Sequence, residues 1–226
     1  MSFDDAIEAL STDALKFVSD GQILGLGSGR AATAFVKSLS RLVRAGDVDI
    51  RGVPTSLQIK MAAQLGGIPL VEADQVGCID VVFDGADQID SQGFVIKGGG
   101  GALLRENILI GMAEKVVIMA DSSKFVTNLA RPVPVEVHQL ARTSAIQKIT
   151  DLGGRPSLRK LERGYPFITE NGNIILDCDF GTITEPESLR QKIIAIPGVM
   201  ECGIFTRIPD VIYMADIGGR FETIVR

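Results

Sequence analysis

The chain reads as an α/β protein: a mostly parallel sheet with helices on both faces, and a smaller α+β domain inserted before its C-terminal strands. Three observations predict this. Short apolar runs alternate with helix-like stretches as far as Asp121. Polar or glycine clusters follow those runs at residues 27–30, 55–56, 84–87 and 121–124, where the strands of such a sheet end and ligands bind. Beyond Arg131 the alternation gives way to short strands around two helices. The expected boundaries are a main domain over residues 1–128 and 206–226 and a small domain over 129–205.

Each element follows from its pattern. Phe3, Ile7, Leu10, Ala14 and Phe17 recur at spacings of three and four, the stripe of an amphipathic helix that Asp20 and Gly21 close. QILGLGSG is a buried strand entering a glycine turn, and AATAFVKSLSRLV is the helix after it. VDIRGVPTS and LQIKMAAQLG repeat that unit. IPLV is a short strand, IDVVFDGAD an apolar strand ending in acids, FVIKGGG a further strand, ALLRENILIGMA a helix and KVVIMAD a strand. In the small domain PVPVEV is a Pro-punctuated strand and QLARTSAIQKITDLGG a helix, with RPSLRK, PFITENGN and IILDCDF as short strands. Asn171-Gly172 predicts a hairpin turn with positive φ at both central positions. EPESLRQKIIAI is a helix and PGVMECGIF a turn and strand. The strand-like tail, RIPDVIYMADIGGRFETIVR, returns to the first domain.

Composition narrows the function. A chain of 226 residues with 46% hydrophobic residues has enough apolar surface for a substantial core. A net charge of −5, no Trp, two Tyr and no Lys/Arg cluster exclude a nucleic-acid or anionic-membrane partner, while a local anion site stays open. Cys78, Cys178 and Cys202 form no C-x-x-C pair and His138 is the one histidine, so a Cys/His zinc centre is not expected. The thiols read as buried and reduced in a cytoplasmic protein. The N-terminus carries early acids rather than a secretory leader, and no apolar run approaches the roughly 20 residues of a membrane span.

The stretch FDGADQIDSQGFVIKGGGGALLRE holds the densest chemistry. Asp84, Asp87 and Asp90 sit at the end of an apolar strand. Taken singly, an Asp after a strand is a solvated turn residue. Here Gly85 and Ala86 separate two carboxylates that would face a ligand crevice, where such groups hold sugar hydroxyls or move protons. Lys97 then precedes Gly98, Gly99, Gly100 and Gly101. Bare peptides before a helix expose N–H donors at its positive end, suited to a phosphate or a developing oxyanion. Glu106 follows in the first helical turns; as a generic helical Glu it would face solvent. The other glycine turn, GLGSGR, imitates a dinucleotide fingerprint, but its third glycine position is Arg30. A sugar-phosphate cradle fits better, with Ser28 donating beside Gly29, Arg30 and Ala31 as the helix begins.

FDGADQID, KGGGGALLRE, ADSSKFV, PVPVEV and IPGVMECGIF occur in this order and at distances that resemble the type A ribose-5-phosphate isomerase family. The resemblance covers nearly the whole chain, from GLGSG to the C-terminal strands. It implies a Rossmann-like main domain and interconversion of ribose 5-phosphate and ribulose 5-phosphate without metal or organic cofactor. It also implies a homodimer or homotetramer. Glu106 matches the family's proton-shuttling base. Asp84, Asp87 and Lys97 match its substrate-contacting and ring-opening groups. Lys124 and the turn of Ser28, Gly29, Arg30 and Ala31 match its phosphate-holding parts.

The sequence departs from the family pattern at three places. The usual Gly-Thr-Gly-Ser-Thr turn is Gly27-Ser28-Gly29-Arg30-Ala31, so two hydroxyls are lost and a guanidinium is gained. Arg30 either takes over phosphate binding or is a solvated side chain. The N-terminal region offers no lysine before Lys16, and Asp-Glu-Ser-Lys has become Asp121-Ser122-Ser123-Lys124. The alternatives are a non-catalytic sugar-phosphate sensor, an isomerase for another aldose phosphate, or a deaminase, lactonase or coenzyme A transferase of related fold. In the last case Glu170 would serve as nucleophile.

Overall fold

The computed structural model describes residues 3–216 and 219–225, with side chains from Asp5 onward. The part of the N-terminal stripe carried by the Phe3 side chain, and Ile217, Gly218 and Arg226 of the tail, lie outside the described residues. The strands in chain order are β1 (Ile23–Leu26), β2 (Arg51–Pro54), β3 (Ile79–Gly85), β4 (Gln88–Ile89), β5 (Val95–Ile96), β6 (Ala113–Asp121), β7 (Val133–Val137), β8 (Arg155–Leu158), β9 (Ile174–Asp179), β10 (Val199–Cys202), β11 (Ile204–Phe205), β12 (Val211–Ala215) and β13 (Phe221–Val225). The α-helices are α1 (Phe3–Asp13), α2 (Gly29–Ala45), α3 (Leu57–Gly66), α4 (Leu103–Met112), α5 (Arg142–Asp151) and α6 (Pro186–Ile194).

The backbone forms two units. One comprises Met1–Ala86, Arg105–Lys124 and Pro209–Arg226, the other Asp87–Leu104 and Phe125–Ile208. Residues 87–104, read from sequence as part of the main domain, group with the second unit.

The first unit is a six-stranded sheet in the order β13-β12-β6-β3-β1-β2, parallel except for the edge strand β13. Chain order reverses across β1 and β3, which makes their carboxyl ends the switch point where doubly wound sheets bind ligands. Period-two alternation sends Leu24, Leu26, Val81, Phe83, Val117 and Met119 to one face, where α1 and α2 cover them with Leu10, Phe35 and Leu39. Phe35 stacks on Phe83 with ring centroids 3.9 Å apart. The returning tail docks β12 parallel to β6.

The second unit holds an antiparallel sheet, β10-β7-β9-β8, and a short one, β11-β5-β4. Val133, Val135 and Val137 of β7, with Ile174, Leu176 and Cys178 of β9, face Ala145 and Ile149 of α5 and Ile193 of α6. The alternate residues, Pro134 and Glu136 of β7 and Asp177 of β9, point from the other face.

Several local expectations change. IPLV is no strand but a single bridge, Gly52 to Leu70. FVIKGGG supplies only the two residues of β5, paired antiparallel with β4 and β11, because Gly98, at φ 104°, turns the chain out of the extended conformation. PFITENGN makes isolated bridges at Pro166 and Ile168. Its turn uses one left-handed residue, Gly172 at φ 81°, and among the described residues no non-glycine has positive φ. The Thr169 and Gly172 pairings close a three-residue loop with a glycine bulge, so Asn171 avoids the strained conformation. The N-terminal helix ends at Asp13, and Ala14–Phe17 form a tighter 3₁₀ turn. Cys178 and Cys202 are buried, but Cys78 is exposed. Burial pushes the Cys202 thiol up to about 12 and raises Cys178 as well, which keeps both protonated.

Candidate active site

In the first unit, the switch point builds one set of polar groups. β1 and β3 run parallel with Leu26 beside Phe83, so the next residues, Gly27 and Asp84, meet side by side. A Cβ on Gly27 would fall 2.1 Å from Asp84 Oδ1. Only glycine lets the carboxylate lie against the turn. Asp84 is fully buried, and its Oδ1 accepts from the Ser28 amide at 3.2 Å and the Gly85 amide at 2.7 Å.

Ser28 occupies the N-cap of α2, yet its hydroxyl makes no capping bond. It turns instead to Thr55 Oγ1 and Ser56 Oγ, each at 2.8 Å. Thr55 is held by its own bond to the Leu26 carbonyl, and Ser56 caps α3 by accepting from the Ile59 amide. The first turn of α2, at Gly29, Arg30 and Ala31, therefore presents its amide end without a side-chain cap from Ser28, a geometry suited to an anion. Arg30 is not simply solvated. Its guanidinium lies 3.6 Å from Asp121 Oδ2, although the side chain is 61% exposed. Asp121 also accepts from the Ser123 amide, and half-buried Lys124 ends the same 3₁₀ turn.

Glu106 lies in the first turn of α4, where a carboxylate interacts favourably with the helix dipole. It is only 5% exposed, so the solvated reading of a lone helical Glu is overturned. Leu103, Leu109 and Ile110 of the same helix are buried too, and such an apolar helix leaves little surface for a glutamate to reach water.

In the second unit, the glycine loop is held from several sides. Lys97 is 3% exposed, with its amide bonded to the Gly203 carbonyl and its ammonium 5.9 Å from the Phe205 ring centroid. Asp87 is tied by its own amide to the Ile96 carbonyl, and its Oδ2 accepts from the Gly99 amide at 2.7 Å. The Gly101 amide bonds the Gly98 carbonyl. Two of the loop's amides, those of Gly99 and Gly101, are thus engaged within the unit and are not among the exposed donors. Gly100 is exposed and has open space around it. Asp90 is structural: its Oδ1 accepts from the amides of Gln92, Gly93 and Phe94, closing the turn before β5.

Sequence reasoning missed Arg159, Asp177 and Phe167. Arg159 donates to the Gly98 and Gly99 carbonyls at 2.8 and 3.0 Å. The ring of Phe167 lies where a Cβ on Gly101 would come within 2.6 Å. Arg159 is separated from Gly98 by 61 positions, too far for any motif. The one local signal is Asp177, a carboxylate interrupting the apolar run of β9, which calls for a cationic partner. Among the described residues no group of three or more His, Cys, Asp or Glu could hold a metal ion. Among them also, no helix is long and apolar enough to cross a membrane.

Comparison with known proteins identifies the family. Residues 51–219 match the family model of ribose 5-phosphate isomerase A (phosphoriboisomerase A). Ribose-5-phosphate isomerase A of Haloarcula marismortui is 41% identical over 217 residues, covering 96% of this chain and 94% of the relative. The solved ribose 5-phosphate isomerase A of Methanocaldococcus jannaschii superposes with a TM-score of 0.93 at 36% identity over the whole of both chains. A solved D-ribose-5-phosphate isomerase in complex with phospho-erythronic acid superposes at 0.95 with 35% identity, again over the whole of both.

Proposed function

The chain belongs to the ribose 5-phosphate isomerase A family, and from that premise we propose that it interconverts D-ribose 5-phosphate and D-ribulose 5-phosphate through an enediolate. The observation that carries this reading is the burial of three ionisable side chains from one stretch of sequence. Asp84, Lys97 and Glu106 are 0%, 3% and 5% exposed. Charged side chains are almost never so buried without a specific partner or task, and buried acids and bases mark reaction centres.

In this reading Glu106 removes the proton from C2 and returns it to C1. One carboxylate in a partly dry setting serves both transfers. Negative charge grows on the sugar oxygens as the enediolate forms, and Lys97 with the remaining loop amides stabilises it. Asp84 or Asp87 moves the protons that open the sugar ring. Ser28, Gly29, Arg30 and Ala31 receive the phosphate at the uncapped end of α2, with Lys124 adding charge. The partner is a small phosphosugar, and the assembly a homodimer or homotetramer. Three free cysteines support a reducing cytoplasmic setting.

The test mixes chelator-treated protein with ribose 5-phosphate and follows ribulose 5-phosphate by NMR. Turnover is expected. Glu106→Gln should keep the fold and the affinity for substrate but lower kcat by at least ~10²-fold, the lower end for a lost acid–base group. Near-normal kcat in that variant removes the base assignment. No turnover in the wild type, with phosphosugar binding retained, leaves a sensor instead.

A further inference from the structure

We propose that Arg159 is a positioning residue of this enzyme: it fixes the peptides of the glycine loop so that the Gly100 amide is aimed in advance at the oxygen on which charge develops. The proposal rests on the isomerase reading above.

The geometry is that of a clamp. One nitrogen of the guanidinium, Nη1, donates to the carbonyls of Gly98 and Gly99 at 2.8 and 3.0 Å. The other edge forms a two-pronged pair with Asp177, Nε to Oδ2 at 2.9 Å and Nη2 to Oδ1. That pairing consumes the planar fork and fixes the plane of the guanidinium. The side chain is 16% exposed, so little solvent competes. The backbone of Arg159 is fixed as well: its amide bonds the Ile175 carbonyl and its carbonyl accepts from Phe167. Phe167 in turn packs on Gly101, with its ring centroid 5.9 Å from the guanidinium carbon.

The consequences follow from peptide planarity. In a trans peptide the C=O and the following N–H point in opposite directions. The Gly98–Gly99 peptide has its carbonyl on Arg159 and its N–H on Asp87 Oδ2 at 2.7 Å, so it is held from both ends. The Gly99–Gly100 peptide has its carbonyl on the same guanidinium nitrogen, so the Gly100 N–H points away from Arg159. Gly100 is exposed, with nothing within 4 Å of a Cβ placed on it. A four-glycine segment otherwise samples many orientations. Arg159 removes that freedom before substrate arrives, and its charge on the carbonyl polarises the amide toward stronger donation.

The experiment compares wild type, Arg159→Ala, Arg159→Lys and Asp177→Asn, with Arg155→Ala as control. Arg155, on the same strand as the residues leading to Arg159, pairs with Asp179 through one Nη2–Oδ2 bond, but its side chain is 77% exposed and it makes no bond to the loop. Arg159→Ala should lower kcat on the order of 10²-fold, the effect of losing one oxyanion donor, with little change in KM. Its affinity for phospho-erythronic acid, whose carboxylate carries charge as the enediolate does, should fall more than its affinity for ribose 5-phosphate. Millimolar guanidinium should restore part of kcat in Arg159→Ala. Asp177→Asn and Arg159→Lys should fall between the extremes, and Arg155→Ala should match wild type. If Arg159→Ala does not fold, Asp177→Asn and Arg159→Lys carry the same comparison. An active wild type whose folded variants keep kcat, or lose only KM, overturns the positioning role. A wild type without turnover removes the isomerase reading and the role with it.

Discussion

Two glycine turns, residues 27–31 in the first unit and 98–101 in the second, look alike in sequence and are built in opposite ways. The first is open. Its N-cap hydroxyl points away from the helix into a cluster with Thr55 and Ser56, and a Cβ on Gly29, at φ 89°, would meet nothing within 4 Å. The second is gripped. Gly98 and Gly99 offer their carbonyls to Arg159, Gly99 gives its amide to Asp87, and Gly101, at φ 85°, lies against Phe167. An open helix end suits a group that carries the same charge in substrate and product, such as a phosphate. A rigid set of dipoles suits charge that exists only at the transition state, because it needs no rearrangement as the charge appears. The contrast predicts that the first turn governs KM and the second governs kcat.

The largest effect should come from Gly101→Ala. An alanine at that φ costs about 1–2 kcal/mol, and its methyl group would also displace the Phe167 ring. The protein should remain folded, with kcat down on the order of 10²-fold through loss of the aimed donor. Steady-state kinetics with a thermal melt would separate the two. If KM rises while kcat is kept, the gripped loop binds rather than catalyses. Thr55→Val comes next. It removes the hydroxyl that lies 2.8 Å from Ser28 and bonds the Leu26 carbonyl. That carbonyl keeps the Thr55 amide as a donor, so no buried acceptor is orphaned. KM should rise by up to roughly tenfold, matching the ~0.5–1.5 kcal/mol of a net hydrogen bond, with kcat nearly unchanged. A fall in kcat at constant KM would erase the distinction between the turns.

The two turns were also unequally legible. The parallel sheet could be read from alternation because its central strands are largely buried on both faces and write mostly apolar runs, as VVF does in β3. The glycine-to-acid adjacency of Gly27 and Asp84 follows from parallel register, and the expected ligand edge lay at the ends of those strands. The antiparallel parts were less readable. β4, β5 and β11 have two residues each, too few to show a period. The clamp on the second loop was invisible because it is tertiary: Arg159 lies after a four-residue strand and acts 61 positions back along the chain. Glu106 looked solvent-facing because helical position alone says nothing about what a neighbouring layer covers.

The smallest expected effect, at Arg30, sharpens the comparison most finely. Its guanidinium lies 3.6 Å from Asp121 Oδ2, and its side chain is 61% exposed. Exposed pairs of this kind contribute about 0–1 kcal/mol, so Arg30→Ala should leave the melting temperature essentially unchanged. The open turn nonetheless lacks two hydroxyls of the family pattern, and Arg30 is the one charge added there. A guanidinium already facing a carboxylate offers a phosphate only part of its field. A rise in KM of a few-fold is therefore expected, shrinking as salt screens the exposed charge over a Debye length of about 8–10 Å. A larger rise that persists at high salt would mean that Arg30 leaves Asp121 to form a desolvated two-pronged contact with the phosphate. The first turn would then be a clamp as well, closed by its ligand rather than by its own chain.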